Sequence, residues 1–163
     1  MYQSNQSGNG MINVPVILGP TAVGKTETTV KVAEFYDASV ISCDSRQVYK
    51  YMDIGTAKPD PGLRERVPHY LIDVVTPDTE YSAYDFAGDA ERIIRQRYRE
   101  GKRTLICGGS GFYFSMLSKG GGPPFENSAQ IKAEYKRRLK TQGEEALYQR
   151  LCKVDPEYAF AIS

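Results

Sequence analysis

Histidine occurs once, at His69, and cysteine three times, at Cys43, Cys107 and Cys152. One imidazole and three scattered thiols lack the paired spacing of a zinc site. An odd cysteine count also fits a reducing compartment better than a disulfide framework. No apolar run approaches the roughly eighteen residues that a membrane-spanning helix needs, so no membrane contact is expected. The first ten residues, Met1 to Gly10, are polar and lack the apolar centre of a signal peptide. They predict a cytoplasmic protein with a frayed start. Charge of either sign is not in excess, since the net charge is +1. Any nucleic-acid contact must therefore come from a local cluster of Lys and Arg. A chain of 163 residues, 40% hydrophobic and 25% charged, is long enough for one globular domain with a small appendage.

What is present starts with Gly19, Pro20, Thr21, Ala22, Val23, Gly24, Lys25 and Thr26. This stretch follows the apolar run Val14 to Leu18, read as a buried strand, and precedes a helical segment, Thr26 to Phe35. Strand, loop and helix in that order are what the phosphate-binding loop G-x-x-x-x-G-K-[ST] requires. Glycine at both ends lets the main chain wrap closely, so that successive N–H groups point at phosphate oxygens. The helix N-terminus adds partial positive charge. Lys25 is the candidate to reach the bridging and terminal oxygens, and the Thr26 hydroxyl the candidate ligand for Mg²⁺.

Further along, Ala38 to Cys43 reads as a second strand ending at Asp44. In open parallel sheets, ligands sit beyond the carboxyl ends of strands, which puts Asp44 and the glycine loop at one edge. Ser45 to Met52 reads as a short helix and Asp60-Pro61-Gly62 as a turn. Pro68 to Val75 is expected to be a third strand. Ser82 is a candidate N-cap for a helix to about Arg99, closed by Gly101. Thr104 to Cys107 is a fourth strand, followed by Gly108-Gly109-Ser110-Gly111 and a short segment, Phe112 to Leu117. Gly120 to Pro124 is the clearest break, after which Ser128–Lys140 and Gly143–Lys153 read as two polar amphipathic helices. The alternation predicts an α/β fold: a P-loop NTPase/kinase-like parallel sheet flanked by helices, with the start of an inserted helical subdomain. The expected division is a disordered stretch over 1–12, an incomplete core over 13–119 and the helical insertion over 120–163.

Five blocks can be taken together: Gly19–Thr26, Asp44–Tyr49, Asp53–Pro59, Val67–Asp73 and Gly108–Tyr113. As an ordered set they closely resemble the tRNA dimethylallyltransferase (isopentenyltransferase) family, from about Val14 onward. The resemblance implies transfer of a dimethylallyl group from dimethylallyl diphosphate to N6 of an adenosine beside the anticodon, in the anticodon loop of tRNA. It implies Asp44 as the base that orients and deprotonates the acceptor amine, with Thr26 beside it at the donor. It also implies tRNA contacts at Asp44, Ser45, Arg46, Gln47 and Ser110. Ser110 stands where the family more often has threonine, which keeps the hydroxyl. Arg46 replaces a commoner apolar residue. Family members continue well beyond Ser163, so a truncated form is expected.

Plainer roles compete at several positions. Asp44 could be a helix cap, His69 a structural hydrogen-bonding group and Lys58 a cap or pairing partner. Asp73 reads as a solvated strand-end acid, or alternatively as a kinase-type metal carboxylate. Lys136, Arg137, Arg138 and Lys140 form a solvated face or a tRNA backbone contact. Tyr49, Tyr51, Phe112 and Tyr113 are read as core ahead of base-stacking platforms. Cys43 and Cys107 are read as buried strand residues. Two other functions fit the same loop: a small-molecule kinase or ATP-binding protein, and an inactive RNA- or nucleotide-binding remnant.

Overall fold

Strand alternation decides where this chain buries its apolar residues. In the computed structural model, which describes residues 2–4, 12–21, 23–119 and 128–162, four parallel strands run in the order β3-β6-β4-β5. These are β3 (Val16–Leu18), β4 (Ala38–Cys43), β5 (His69–Tyr70) and β6 (Arg103–Gly108). Val40 and Leu105 face one side, where they meet Val30 and Ala33. Ile41, Cys43 and Ile106 face the other, where they meet Phe86, Ala90 and Ile94. Every residue of β4 is buried, as a central parallel strand requires when helices cover both faces.

A smaller antiparallel pair, β1 (Tyr2–Ser4) and β2 (Ile12–Val14), precedes this sheet. Of the stretch 1–12 read as disordered, residues 2–4 and Ile12 are thus in strands, and the others lie outside the described residues. The single strand expected over Val14–Leu18 is divided at Pro15, which has no N–H to donate. Its carbonyl still accepts from the Ile106 N–H at 2.9 Å.

The helices of this unit, 1–122, follow their local signals. Helix α1 spans Lys25–Phe35. Helix α2 (Pro61–Arg66) begins where a turn was expected, because Asp60 accepts from the Leu63 N–H at 3.1 Å and Pro61 sits in the first helical turn. Helix α3 (Ala83–Arg99) opens on a capping box between Ser82 and Asp85. It closes at Gly101, in the left-handed region at φ 69. Helix α4 (Gly111–Ser118) has Ser110 as its N-cap.

One expected element is absent and another is shortened. Ser45 to Met52 is a run of turns, not a helix. The Asp44 carboxylate accepts from the N–H groups of Arg46 (2.9 Å) and Gln47 (3.2 Å), a local arrangement that competes with helix formation. The strand expected over Pro68–Val75 shrinks to His69–Tyr70, because Leu71 and Asp73 are left-handed at φ 61 and 57.

The second unit, 123–163, contains α5 (Ser128–Val154) and α6 (Pro156–Ala161). Helix α5 is broken at Gly143 (φ 81, ψ 169), which restores the two helices expected there. Asp155 caps α6 through the Tyr158 N–H at 3.0 Å. Lys136, Arg137 and Lys140 are exposed, whereas Arg138 pairs with Glu134 and lies 5.4 Å from the Tyr135 ring centroid. Among the described residues, no helix is long and apolar enough to cross a membrane. Ala22 and the break at Gly120 to Pro124 lie outside the described residues.

Candidate active site

The glycine loop connects β3 to α1, and its shape is set by main chain. Gly24 is the N-cap of α1 at φ 78, with no side-chain hydrogen bond to the helix. Only glycine takes that conformation without strain. The Lys25 ammonium group folds back onto the Pro20 carbonyl. Gly19 donates to the Gly108 carbonyl at 3.3 Å, tying the loop to the end of β6.

Two further glycines let three chain segments converge. A Cβ on Gly108 would sit 1.9 Å from the Cys43 carbonyl oxygen, which no side chain permits. A Cβ on Gly109 would lie 3.5 Å from the Gly19 carbonyl oxygen and 3.9 Å from Asp44 Oδ2. The Ser110 N–H donates to the Cys43 carbonyl at 3.1 Å. The strand register, Cys43 against Gly108, thus brings Asp44 beside the phosphate loop. Lys25, Thr26 and Asp44 all border one cavity of about 310 Å³.

The far wall of that cavity is the segment from Gln47 to Pro59. The Ser42 hydroxyl donates to Gln47 Oε1 at 2.8 Å. Gln47 Nε2 donates to the carbonyls of Thr56 (3.1 Å) and Ala57 (2.9 Å). Lys58, whose side chain is 6% exposed, donates to the Tyr49 carbonyl and to Asp53 at 2.8 Å each, and to Asp73 at 2.7 Å. Arg64 donates to the other oxygen of Asp73 at 2.9 Å. Burial opposes the charge of Lys58, but hydrogen bonds to Asp53 and Asp73 outweigh it and raise its pKa. Burial likewise opposes the charge of Asp73, and the bonds from Lys58 and Arg64 prevail and lower its pKa. Lys58 is therefore a pairing residue, and Asp73 is paired and not a freely solvated strand-end acid. His69 Nδ1 lies 2.8 Å from the Val67 carbonyl oxygen; burial lowers its pKa and leaves the ring neutral.

Of the residues singled out in the sequence, Thr21, Gly24, Lys25, Thr26, Asp44 and Gln47 border the cavity. Ser45, Arg46 and Val23 are exposed beside it. Ser110 accepts from the Tyr113 N–H at 3.4 Å, as the cap of α4. The Gln47 amide is committed to bonds within the protein. Sequence reasoning overlooked Ser42, Thr29 and Thr56 as lining residues. Ser42 and Thr29 carried a usable signal, since each is a hydroxyl at a buried position of a strand or helix next to a motif. Cys107, read as buried, is only partly so; it borders the cavity and accepts from the Thr29 hydroxyl at 3.1 Å. Tyr113 is buried as expected, but Tyr51 and Phe112 are 80% and 69% exposed.

Among the described residues, no group of three or more His, Cys, Asp or Glu could hold a metal. Magnesium does not need one, because it is usually held by one or two protein oxygens together with substrate phosphates and water. The Thr26 hydroxyl is a hard oxygen donor on the cavity, so it fits that ion.

A family model described as IPP transferase matches residues 47–163. The chain is 45% identical over 152 residues to a protein of Geotalea uraniireducens named tRNA dimethylallyltransferase 2, covering 93% of this chain and 49% of that protein. It is 43% identical to a tRNA dimethylallyltransferase of Geobacter sulfurreducens, covering 95% and 50%. Among solved structures, the tRNA isopentenylpyrophosphate transferase of Bacillus halodurans aligns with a TM-score of 0.63 at 37% identity, over 92% of this chain and 50% of that one. A eukaryotic dimethylallyltransferase acting on tRNA aligns with a TM-score of 0.72 at 29% identity, over 90% and 36%. The chain spans about half the length of the curated relatives it matches. With the IPP transferase model matching residues 47–163, well over half of the chain, on a P-loop-like parallel sheet, the chain belongs to the IPP transferase family.

Proposed function

We propose that this chain carries the donor site and the base of a tRNA dimethylallyltransferase. The observation behind this reading is the single cavity bordered by Lys25, Thr26 and Asp44. Dimethylallyl diphosphate binds with its diphosphate against the N-terminus of α1, where main-chain N–H groups and Lys25 meet the negative charge. Thr26 is the residue that would hold Mg²⁺, together with the donor's own phosphate oxygens and water, and the ion would neutralise charge on the leaving diphosphate. N6 of the adenosine forms a bond to the allylic carbon. The carbon–oxygen bond to the diphosphate breaks, and diphosphate leaves with the electron pair. Asp44 orients the amine and takes its proton. The adenosine lies in a loop, where a base can be turned out of the stack to reach a recessed carboxylate. Ser45 and Arg46, exposed beside Asp44, are the candidates to contact that RNA. A protein acting on tRNA works in the cytoplasm, in line with its free cysteines.

The test is ligand preference, read by calorimetry and thermal unfolding with Mg²⁺ present. Dimethylallyl diphosphate should bind more tightly than ATP and raise the unfolding temperature more, because a ligand held only by the folded state stabilises it. Preference for ATP would redirect the reading to a kinase or ATP-binding protein. Transfer to an anticodon stem-loop, followed by mass, tests the chemistry itself.

A further inference from the structure

A second cavity, of about 470 Å³, lies at the opposite end of the sheet from the phosphate loop. Its neighbours fix that position. Ala38 and Arg103 are the first residues of β4 and β6, Tyr36 caps the end of α1, and Tyr98 sits in the last turn of α3. The strand β6 separates the two sites. From Arg103 to Gly108, at about 3.3 Å per residue, it spans about 17 Å. The volume is in the range of about 300–1,000 Å³ that small-molecule sites occupy.

Three features of the lining select a ligand. Charge comes first. Among the described residues that border this cavity, Lys102 and Arg103 are cationic and none is acidic, whereas the first cavity is bordered by Glu27 and Asp44. The carbonyl ends of α1 and α3 oppose an anion here, and the two cations offset them. Lys102 pairs with Asp37 at 2.9 Å, but Asp37 is 85% exposed, and so open a pair yields readily to another anion. The Arg103 guanidinium lies 5.9 Å from the Tyr36 ring centroid and donates to the Tyr36 carbonyl at 3.5 Å. The second feature is a spare ring. Tyr98 is 51% exposed, and its side chain makes no hydrogen bond or ring contact among the described residues. The third is a spare hydroxyl. Thr104 is only 6% exposed, yet its hydroxyl bonds to no described residue. Hydroxyls so deeply placed are nearly always paired.

We propose that this cavity is a second ligand site, for a free nucleoside monophosphate. The base stacks on Tyr98, and its polar edge bonds the Thr104 hydroxyl, which can donate or accept. Ile12, Val32 and Leu105 border the same space and supply apolar contact for the base. The phosphate meets Lys102 and Arg103 in charge-assisted bonds. A base without phosphate, or a phosphate without a base, engages only half of these groups. The site takes no part in prenyl transfer, and the inference does not rest on the prenyl-donor reading.

The experiment is calorimetry of the 163-residue chain with Mg²⁺ and excess pyrophosphate, which keeps nucleotides off the phosphate loop. The titrants are AMP, adenosine, ribose 5-phosphate and the trinucleotide ApApA. AMP should bind at one site, with adenosine and ribose 5-phosphate each at least about tenfold weaker. Tyr98→Leu and Arg103→Gln should each weaken AMP by about tenfold. Tyr98→Phe, which keeps the ring, and Lys25→Ala, at the other cavity, should leave AMP affinity unchanged. Tyr98 and Arg103 are exposed, so these substitutions spare the fold. No AMP binding by the unaltered chain at millimolar concentration would overturn the proposal, and that result needs no variant. Unchanged affinity in Tyr98→Leu would also overturn it. Loss of AMP binding in Lys25→Ala would move the nucleotide to the phosphate loop and end the proposal. ApApA bound more than about tenfold more tightly than AMP would replace the free nucleotide with an unpaired stretch of RNA.

Discussion

The two walls of the cavity are built on opposite plans. The loop from Gly19 to Lys25 takes its shape from glycine main chain, and its charged side chain rests on a carbonyl that a ligand can replace. The wall from Gln47 to Pro59 is cross-braced by side chains, with Gln47, Thr56 and Lys58 each bonded to main chain elsewhere in the wall. Among the described residues, four of the five left-handed non-glycine residues, Tyr51, Ala57, Leu71 and Asp73, occur in this wall or in the segment packed behind it. Such conformations persist only when the surroundings over-determine them. One wall is therefore shaped by main chain, and the other is braced by its own side chains.

That contrast can be broken from either side. The largest effect should come from Lys25→Ala: about a hundredfold loss of diphosphate affinity by calorimetry, with the unfolding temperature nearly unchanged. Lys58→Met should do the reverse. It leaves Asp73 with one cation and the Tyr49 carbonyl without its donor, and should destabilise the chain by about 2 kcal/mol, or about 4–8 °C in melting temperature. Gln47→Leu removes the bonds to Ser42, Thr56 and Ala57, and should cost about 1–2 kcal/mol by denaturant titration. A melting temperature unaffected by either wall variant would erase the contrast. The smallest effect is in pH. Asp73 has a lowered pKa in the fold, so its stabilisation is present above the ordinary value of 3.8 and is lost as pH falls through the folded value. Lys58 is raised, so its share holds below 10.5 and fades as pH climbs past the folded value. Acid unfolding of Lys58→Met should accordingly show a shallower loss below about pH 4 than the unaltered chain.

The same contrast explains what could be read from the sequence. The strand, glycine loop and helix order around Gly24 was legible because the left-handed conformation at the start of α1 demands glycine. Helix α3 was legible because Ser82, Asp85 and Gly101 mark its ends locally. Strand β4 was legible as an unbroken buried run. The braced wall was not, since its shape comes from distant partners: Asp73 donates to the Gln47 carbonyl at 3.1 Å and Val74 to the Val48 carbonyl at 2.7 Å. No residue type announces that Leu71 or Asp73 is left-handed. For the same reason Asp44 could be singled out, while the fate of the Gln47 amide, consumed inside the protein, could not.

The three thiols are graded by access, with Cys43 buried, Cys107 partly covered at the cavity and Cys152 exposed. Burial pushes the Cys43 pKa up to about 12, so it resists alkylation at neutral pH. A fluorophore maleimide should therefore attach first at Cys152. With Cys152 replaced, slow labelling of Cys107 becomes a clock for cavity occupancy, readable without any turnover.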